Sequence, residues 1–306
     1  MLAPLAAESL RLALETAARA VEQADAANTR RAIASDLRHA GRWFAAHGIS
    51  WPDDPARPLA VAELAAYLGG MVAAGLAAAT IRRRATTLAR WHRERCFASP
   101  VGDPAIGRLL AGVSRTAAAS SKKAAASPAM ISAALRSDGF SIREKALLAV
   151  GFVTGLRRSE LTGLAWSDLE EDQASGSFVL VLRQTKTGSD QRSAVPATGH
   201  AETCPATWLR RWRAESGGVG FVFACSERTI ARLVQRAAAL SGHDPAAYGA
   251  HSLRSGLATV AARGGVSLGE IMAATRHRSA QVAAGYLRAR EQLANEAHRC
   301  AAEALR

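Results

Sequence analysis

Between residues 29 and 47, Ile33, Leu37, Ala40 and Phe44 fall at i, i+4, i+7 and i+11, while Arg31, Arg38 and Arg42 share the other side. That spacing predicts an amphipathic helix with one buried stripe and one cationic face. A second helix is predicted over about 80–96, with Ile81, Ala85, Leu88 and Trp91 inward and Arg82, Arg83, Arg90 and Arg93 on the outer arc. Further on, Ser141 and Glu144 form an S-x-x-E capping box that opens a helix through Ala146, Leu147, Val150 and Val153. After Trp166 the pattern changes to strands. Phe178 to Leu182 is an apolar, β-prone run, and Arg192 to Pro196 returns antiparallel to it across the turn Thr187-Gly188-Ser189-Asp190. Helical patterns dominate again from Glu227, and no repeat of fixed period is present. The expected fold is mainly α with a small antiparallel β-sheet: an all-α first half and an α+β second half.

The tract 114–128, SRTAAASSKKAAASP, has no large apolar residue, three positive charges and a closing proline, the composition of a solvated tether. It divides the chain into a helical domain at 1–113, a basic flexible linker at 114–127 and a second domain at 128–306. At 306 residues the chain has the length of about two domains. Hydrophobic residues at 49% and charged residues at 21% exclude a generally disordered or collagen-like chain.

Charge changes the picture most. Lys and Arg number 39 against 26 Asp and Glu, a net charge of +13. The excess is spread evenly: 17 basic and 10 acidic residues up to Ser127 give +7, and 22 and 16 beyond it give +6. A polyanionic partner is indicated, and two basic domains on a basic tether carrying Lys122 and Lys123 suit a clamp around DNA. A cationic helix face in isolation reads more readily as a solvated surface than as a phosphate contact; two in one small domain narrow that difference. The cysteines at 96, 204, 225 and 300 form no CxxC pair and read as free thiols in a reducing compartment. The first 20 residues carry Glu8, Arg11 and Glu15, which interrupt any signal-peptide core, and no apolar run approaches a membrane span. A cytoplasmic, nucleoid-associated protein is expected.

Five places in the second half hold groups suited to phosphate chemistry. In TGLRRSEL, Arg157 follows Gly155 and can present a planar fork to two phosphate oxygens, with Glu160 bracing it. Lys186 lies beside the hairpin turn in a chain that uses 35 arginines and only four lysines, so its amine is a candidate proton donor where guanidinium could not serve. His251 and Arg254, in HSLR, share one side of a helical turn. His277 follows in TRHRS, and Tyr286 nine residues later in AAGYLR. Singly, such histidines and tyrosines are more often structural. Together they supply two arginines, a lysine, two histidines and a hydroxyl nucleophile, the set that phosphodiester transesterification needs without a metal. There is no GxxxxGK[ST] loop, no HExxH and no acidic cluster for Mg²⁺, so neither a cofactor nor a metal is expected.

The order and spacing of TGLRRSEL, the hairpin lysine, HSLR, a histidine 23 residues after Arg254 and a tyrosine nine further on resemble the tyrosine recombinase (phage integrase) family. The resemblance spans most of 128–306, and 1–113, including LAAATIRRRATTLARWHR, is similar in layout to the family's helical core-binding domain. With no arm-binding domain ahead of it, the chain resembles the two-domain Cre-like or Xer-like members. The resemblance implies that Arg157 and Arg254 grip the non-bridging oxygens, that Glu160 supports Arg157, and that Lys186 protonates the leaving 5′ oxygen. It further implies that His251 assists proton transfer, that His277 hydrogen-bonds the phosphate and that Tyr286 is the nucleophile. Two departures stand out: Arg276 occupies a position that is Gly in many members, and Ser255 one that is His.

The function this implies is site-specific DNA recombination through a 3′-phosphotyrosine at Tyr286. The partner would be double-stranded DNA with inverted half-sites, bound by a homotetramer on paired sites that is monomeric when free. In that assembly the helical segment after Tyr286 would contact a neighbouring protomer. Two alternatives remain: an architectural or regulatory DNA-binding protein of the same fold, and type IB topoisomerase-like strand relaxation.

Overall fold

The computed structural model describes residues 8–9, 11–17, 25, 27–51, 57–116, 123–182, 191–276 and 280. The chain divides into two compact units, Met1–Ser121 and Lys122–Arg306.

In the first unit four helices enclose one core: α1 (Ala27–Ala46), α2 (Val61–Ala73), α3 (Ala78–Glu94) and α4 (Pro104–Thr116). Phe44, Trp51, Tyr67, Leu68, Ile81, Leu88, Trp91 and Ile106 are all buried within it. From Leu37 to Phe44 on α1 and from Ile81 to Trp91 on α3 the expected stripes face this core, and the polar Asp36, Thr87 and His92 are buried with them. Asp36, 3% exposed, lies among the buried positions of α1. Its Oδ2 accepts from Arg83 Nη1 at 2.5 Å and from Thr87 Oγ1 at 3.0 Å, both on α3. A buried carboxylate survives only when so paired, and the pairing fixes how α1 and α3 meet.

The second unit runs α5 (Pro128–Arg136), α6 (Ile142–Thr154), α7 (Arg158–Gly163), β1 (Leu169–Asp172), β2 (Ser177–Leu182), β3 (Gln191–Val195), α8 (Pro205–Ser216), α9 (Glu227–Leu240), α10 (His251–Arg263) and α11 (Leu268–Thr275). The expected capping box is present: Ser141 Oγ accepts from the Glu144 N–H, and Glu144 Oε2 accepts from the Ser141 N–H. Beyond that first turn, α6 is buried on nearly every side, from Lys145 to Gly151, the mark of a central helix. It packs against α8, α10 and β3.

The three strands form an antiparallel sheet in the order β1-β2-β3. β2 and β3 pair antiparallel, as the hairpin reading predicts, with Phe178 opposite Val195 and Leu182 opposite Gln191; the turn at 187–190 lies outside the described residues. Phe178, Leu180 and Leu182 alternate inward along β2, the two-residue period of a half-buried strand.

The tract read as a linker over 114–127 is narrower than its composition suggests, which is a correction. Ser114 to Thr116 complete α4. At the other end the Ala124 N–H donates to Ala247 O at 2.8 Å and the Ala126 N–H to Ser252 O at 2.9 Å, burying Ala126 against α10. Alanine's small side chain, taken as a sign of solvation, is what permits this approach. A Cβ on Gly256 would lie 2.5 Å from Ala126 O, so only glycine fits there. Cys96, Cys204 and Cys225 are free thiols. Among the described residues no helix is long and apolar enough to cross a membrane.

Candidate active site

α6 ends at Gly155, which takes φ +54° and ψ 29°, the left-handed cap that glycine accepts without steric cost. A Cβ there would also sit 2.8 Å from Leu257 Cδ2. The chain then turns through Leu156 and enters α7 with Arg157 as its N-cap. This short loop gathers the polar groups of three elements.

Arg157 Nη1 donates to Glu160 Oε1 at 2.6 Å, and the Arg157 backbone N–H donates to Glu160 Oε2 at 2.7 Å. Arg157 Nη2 donates to the Arg276 carbonyl at 2.8 Å, reaching the end of α11. With its side chain 44% exposed, Arg157 is held by two of its five N–H groups while an open face remains for an anion. Arg254, on the first turn of α10, is 2% exposed, and its Nη1 donates to Gly155 O at 2.8 Å. Its buried guanidinium is thereby directed along the same loop.

Burial pushes the Glu160 carboxyl up, but the Arg157 N–H and guanidinium, with the charge of Arg276, outweigh it and hold the group below the usual carboxylate range. His251 starts α10. Desolvation by the surrounding protein, then the positive charges of Arg254, Arg158 and Arg157, lower its imidazole pKa. At neutral pH it is therefore an uncharged imidazole able to accept a proton.

Arg157, Glu160, His251 and Arg254 thus come together from two separate stretches of sequence. Lys186, His277, Tyr286 and Lys122 lie outside the described residues, as does the segment after Tyr286. Arg276, not among the nominated residues, is part of the cluster: its Nη2 lies 3.2 Å from Glu160 Oε2 and 3.4 Å from Gly155 O. The sequence signal for it was an arginine at a position that is glycine in the family pattern. Among the described residues no group of three His, Cys, Asp or Glu side chains could hold a metal ion. What the cluster can do is bind and polarise an anion of phosphate geometry beside a neutral base.

The sequence profile of the Phage integrase family matches residues 126–292, more than half of the chain and all of this site. The chain belongs to the phage integrase family. Beyond the family profile, this integrase-family chain is 28% identical over 302 residues to an integrase/recombinase XerD homolog of Selenomonas ruminantium, covering 90% of this chain and 86% of that protein. It is 29% identical over 265 residues to the tyrosine recombinase XerC of Mycobacterium sp. (strain KMS), covering 81% and 84%. In fold it is similar to a lambda integrase dimer bound to a COC′ core site, with a TM-score of 0.60 at 21% identity over 90% of this chain and 93% of that one.

The cationic residues of the first unit differ in how they are engaged. Arg31, Arg38 and Arg42 on α1 and Arg93 on α3 are exposed. Arg82 is exposed with Nη2 3.4 Å from Leu110 O. Arg83 is half-exposed in its pair with Asp36. Arg90 is held by Asp25 and Glu94, each at 2.5 Å. In the second unit, Lys123 Nζ donates to Ala246 O.

Proposed function

We propose that this protein is a site-specific DNA recombinase that cleaves and rejoins strands through a 3′-phosphotyrosine. The observation that carries the reading is the convergence of Arg157 and Arg254 on the Gly155 loop beside an uncharged His251. Family membership supports it, as does the DNA-bound relative in fold.

Tyr286 Oη attacks the scissile phosphorus, and its proton passes toward His251; a tyrosine with an ordinary pKa of about 10 requires such an acceptor at neutral pH. As negative charge grows on the non-bridging oxygens, Arg157, Arg254 and His277 stabilise it. The P–O5′ bond breaks, and Lys186 donates a proton to the leaving oxygen. A 5′-hydroxyl and a phosphotyrosine result. Attack by the 5′-hydroxyl of another strand reverses the step, so no nucleotide or metal is required. The exposed arginines of the first unit and the cluster of the second each contact duplex DNA, and four protomers join two sites.

The test is recombination itself. A site recovered by selection from random-sequence DNA is placed twice on a supercoiled plasmid. Exchange between the two copies is the expected product. Relaxation of a one-site plasmid without exchange would establish topoisomerase action instead, and binding without cleavage an architectural role.

A further inference from the structure

Arg276 is one of three non-glycine residues with positive φ among the described residues, at φ +55° and ψ 44° as the C-cap of α11. Left-handed backbone is sterically costly for a residue with a Cβ, and burying a guanidinium adds a desolvation cost that only a partner offsets. Glycine would avoid both costs. Here the arginine side chain is instead folded inward, 5% exposed, and what it touches explains why.

Its Nη2 reaches Glu160 Oε2 and Gly155 O, while its own backbone carbonyl receives Arg157 Nη2. Glu160 in turn holds Arg157 through Nη1, and Gly155 O is the acceptor for Arg254 Nη1. One residue therefore contacts the anchor of each phosphate-gripping arginine. Charge adds a second effect. Arg157 with Glu160 alone is a neutral pair; with Arg276 the trio carries a net +1, so bracing Arg157 does not cancel the field it presents to an anion.

We infer that Arg276 is a positioning residue that locks Arg157 and Arg254 into one preset anion grip through Glu160 and the Gly155 carbonyl. It acts through these groups without touching the phosphate. The inference rests on the recombinase reading above.

The test uses the full chain and a nicked suicide duplex carrying the selected site. R276G keeps the backbone carbonyl and relaxes the left-handed turn; R276N tolerates that turn and also lacks the charge; R276K restores it. Expected are half-site affinities within about twofold of wild type and an unchanged melting temperature for R276G. Single-turnover cleavage should fall by about tenfold or more in R276G and R276N, since small misplacements of catalytic groups cost rates of this order. R276K should recover part of the rate. Cleavage by R276G at the wild-type rate would overturn the inference. So would a loss of melting temperature in both uncharged variants that R276K shares in full, which would make Arg276 a packing element. A wild-type protein that forms no adduct would overturn the recombinase reading, and this inference with it; a wild-type adduct matched by R276G overturns the inference alone.

Discussion

Arg254 Nη1 donates to the carbonyl oxygen of Gly155 across 99 residues of sequence at 2.8 Å. The bond requires the carbonyl of a left-handed residue at the end of a buried helix, and it converts the C-terminal orphan acceptors of α6 into the seat of a guanidinium. A local backbone requirement at Gly155 and a distant side chain on α10 are thereby one feature.

Substituting Gly155→Ala strains that seat twice, through φ +54° and through the 2.8 Å approach of its Cβ to Leu257. A destabilisation of about 1–2 kcal/mol is expected from the backbone conformation alone. Denaturant unfolding checks it. Cleavage should fall further than stability explains, because the Arg254 acceptor moves with the loop.

His251 titrates below its ordinary value of 6.5 because the surrounding protein desolvates it and Arg254, Arg158 and Arg157 repel its proton. The native state then binds fewer protons than the unfolded chain in this window. Stability is complete above about pH 6.5 and is lost as pH falls through the lowered folded value. Melting curves of wild type and His251→Gln should diverge as pH drops from about 7.5 to about 5, the wild type losing more. Parallel curves would contradict the shift.

Of the cationic face nominated on α1 and α3, the engaged residues should matter less to DNA. Arg38→Ala removes an exposed charge, and the log-log salt slope of DNA binding should become shallower by about 1 if one phosphate contact is lost. Arg90→Ala removes a guanidinium already committed to Asp25 and Glu94 and should leave the slope unchanged. Filter-binding or anisotropy titrations over a salt series decide it.

Much of this organisation was legible beforehand because it is written in periodicity and in short local motifs. The α1 and α3 stripes and the Ser141 cap depend on neighbours within a few residues, and the antiparallel return of β3 on β2 joins two short runs close in sequence. β1 was not: in Leu169-Glu170-Glu171-Asp172 only one residue is apolar, and the strand exists through backbone pairing to β2. The Asp36 pairing was hidden because its partners lie 47 and 51 residues away, which is also why Arg83 read as an uncommitted surface charge. Arg157, Glu160, His251 and Arg254 could be nominated from residue type and order. Arg276 stood out only as a departure from the family's glycine, since its part depends on a left-handed turn that sets its carbonyl against Arg157 and its guanidinium against Glu160 and Gly155 O.

In the proposed reaction Tyr286 becomes covalently attached to DNA, and denaturing electrophoresis after incubation with a nicked suicide duplex carrying the selected site reads that bond. Wild-type protein should yield a DNA-linked band, and Tyr286→Phe, which removes only the attacking oxygen, should bind the site with nearly unchanged affinity yet yield none. An adduct of normal yield from Tyr286→Phe would mean that Tyr286 is not the nucleophile.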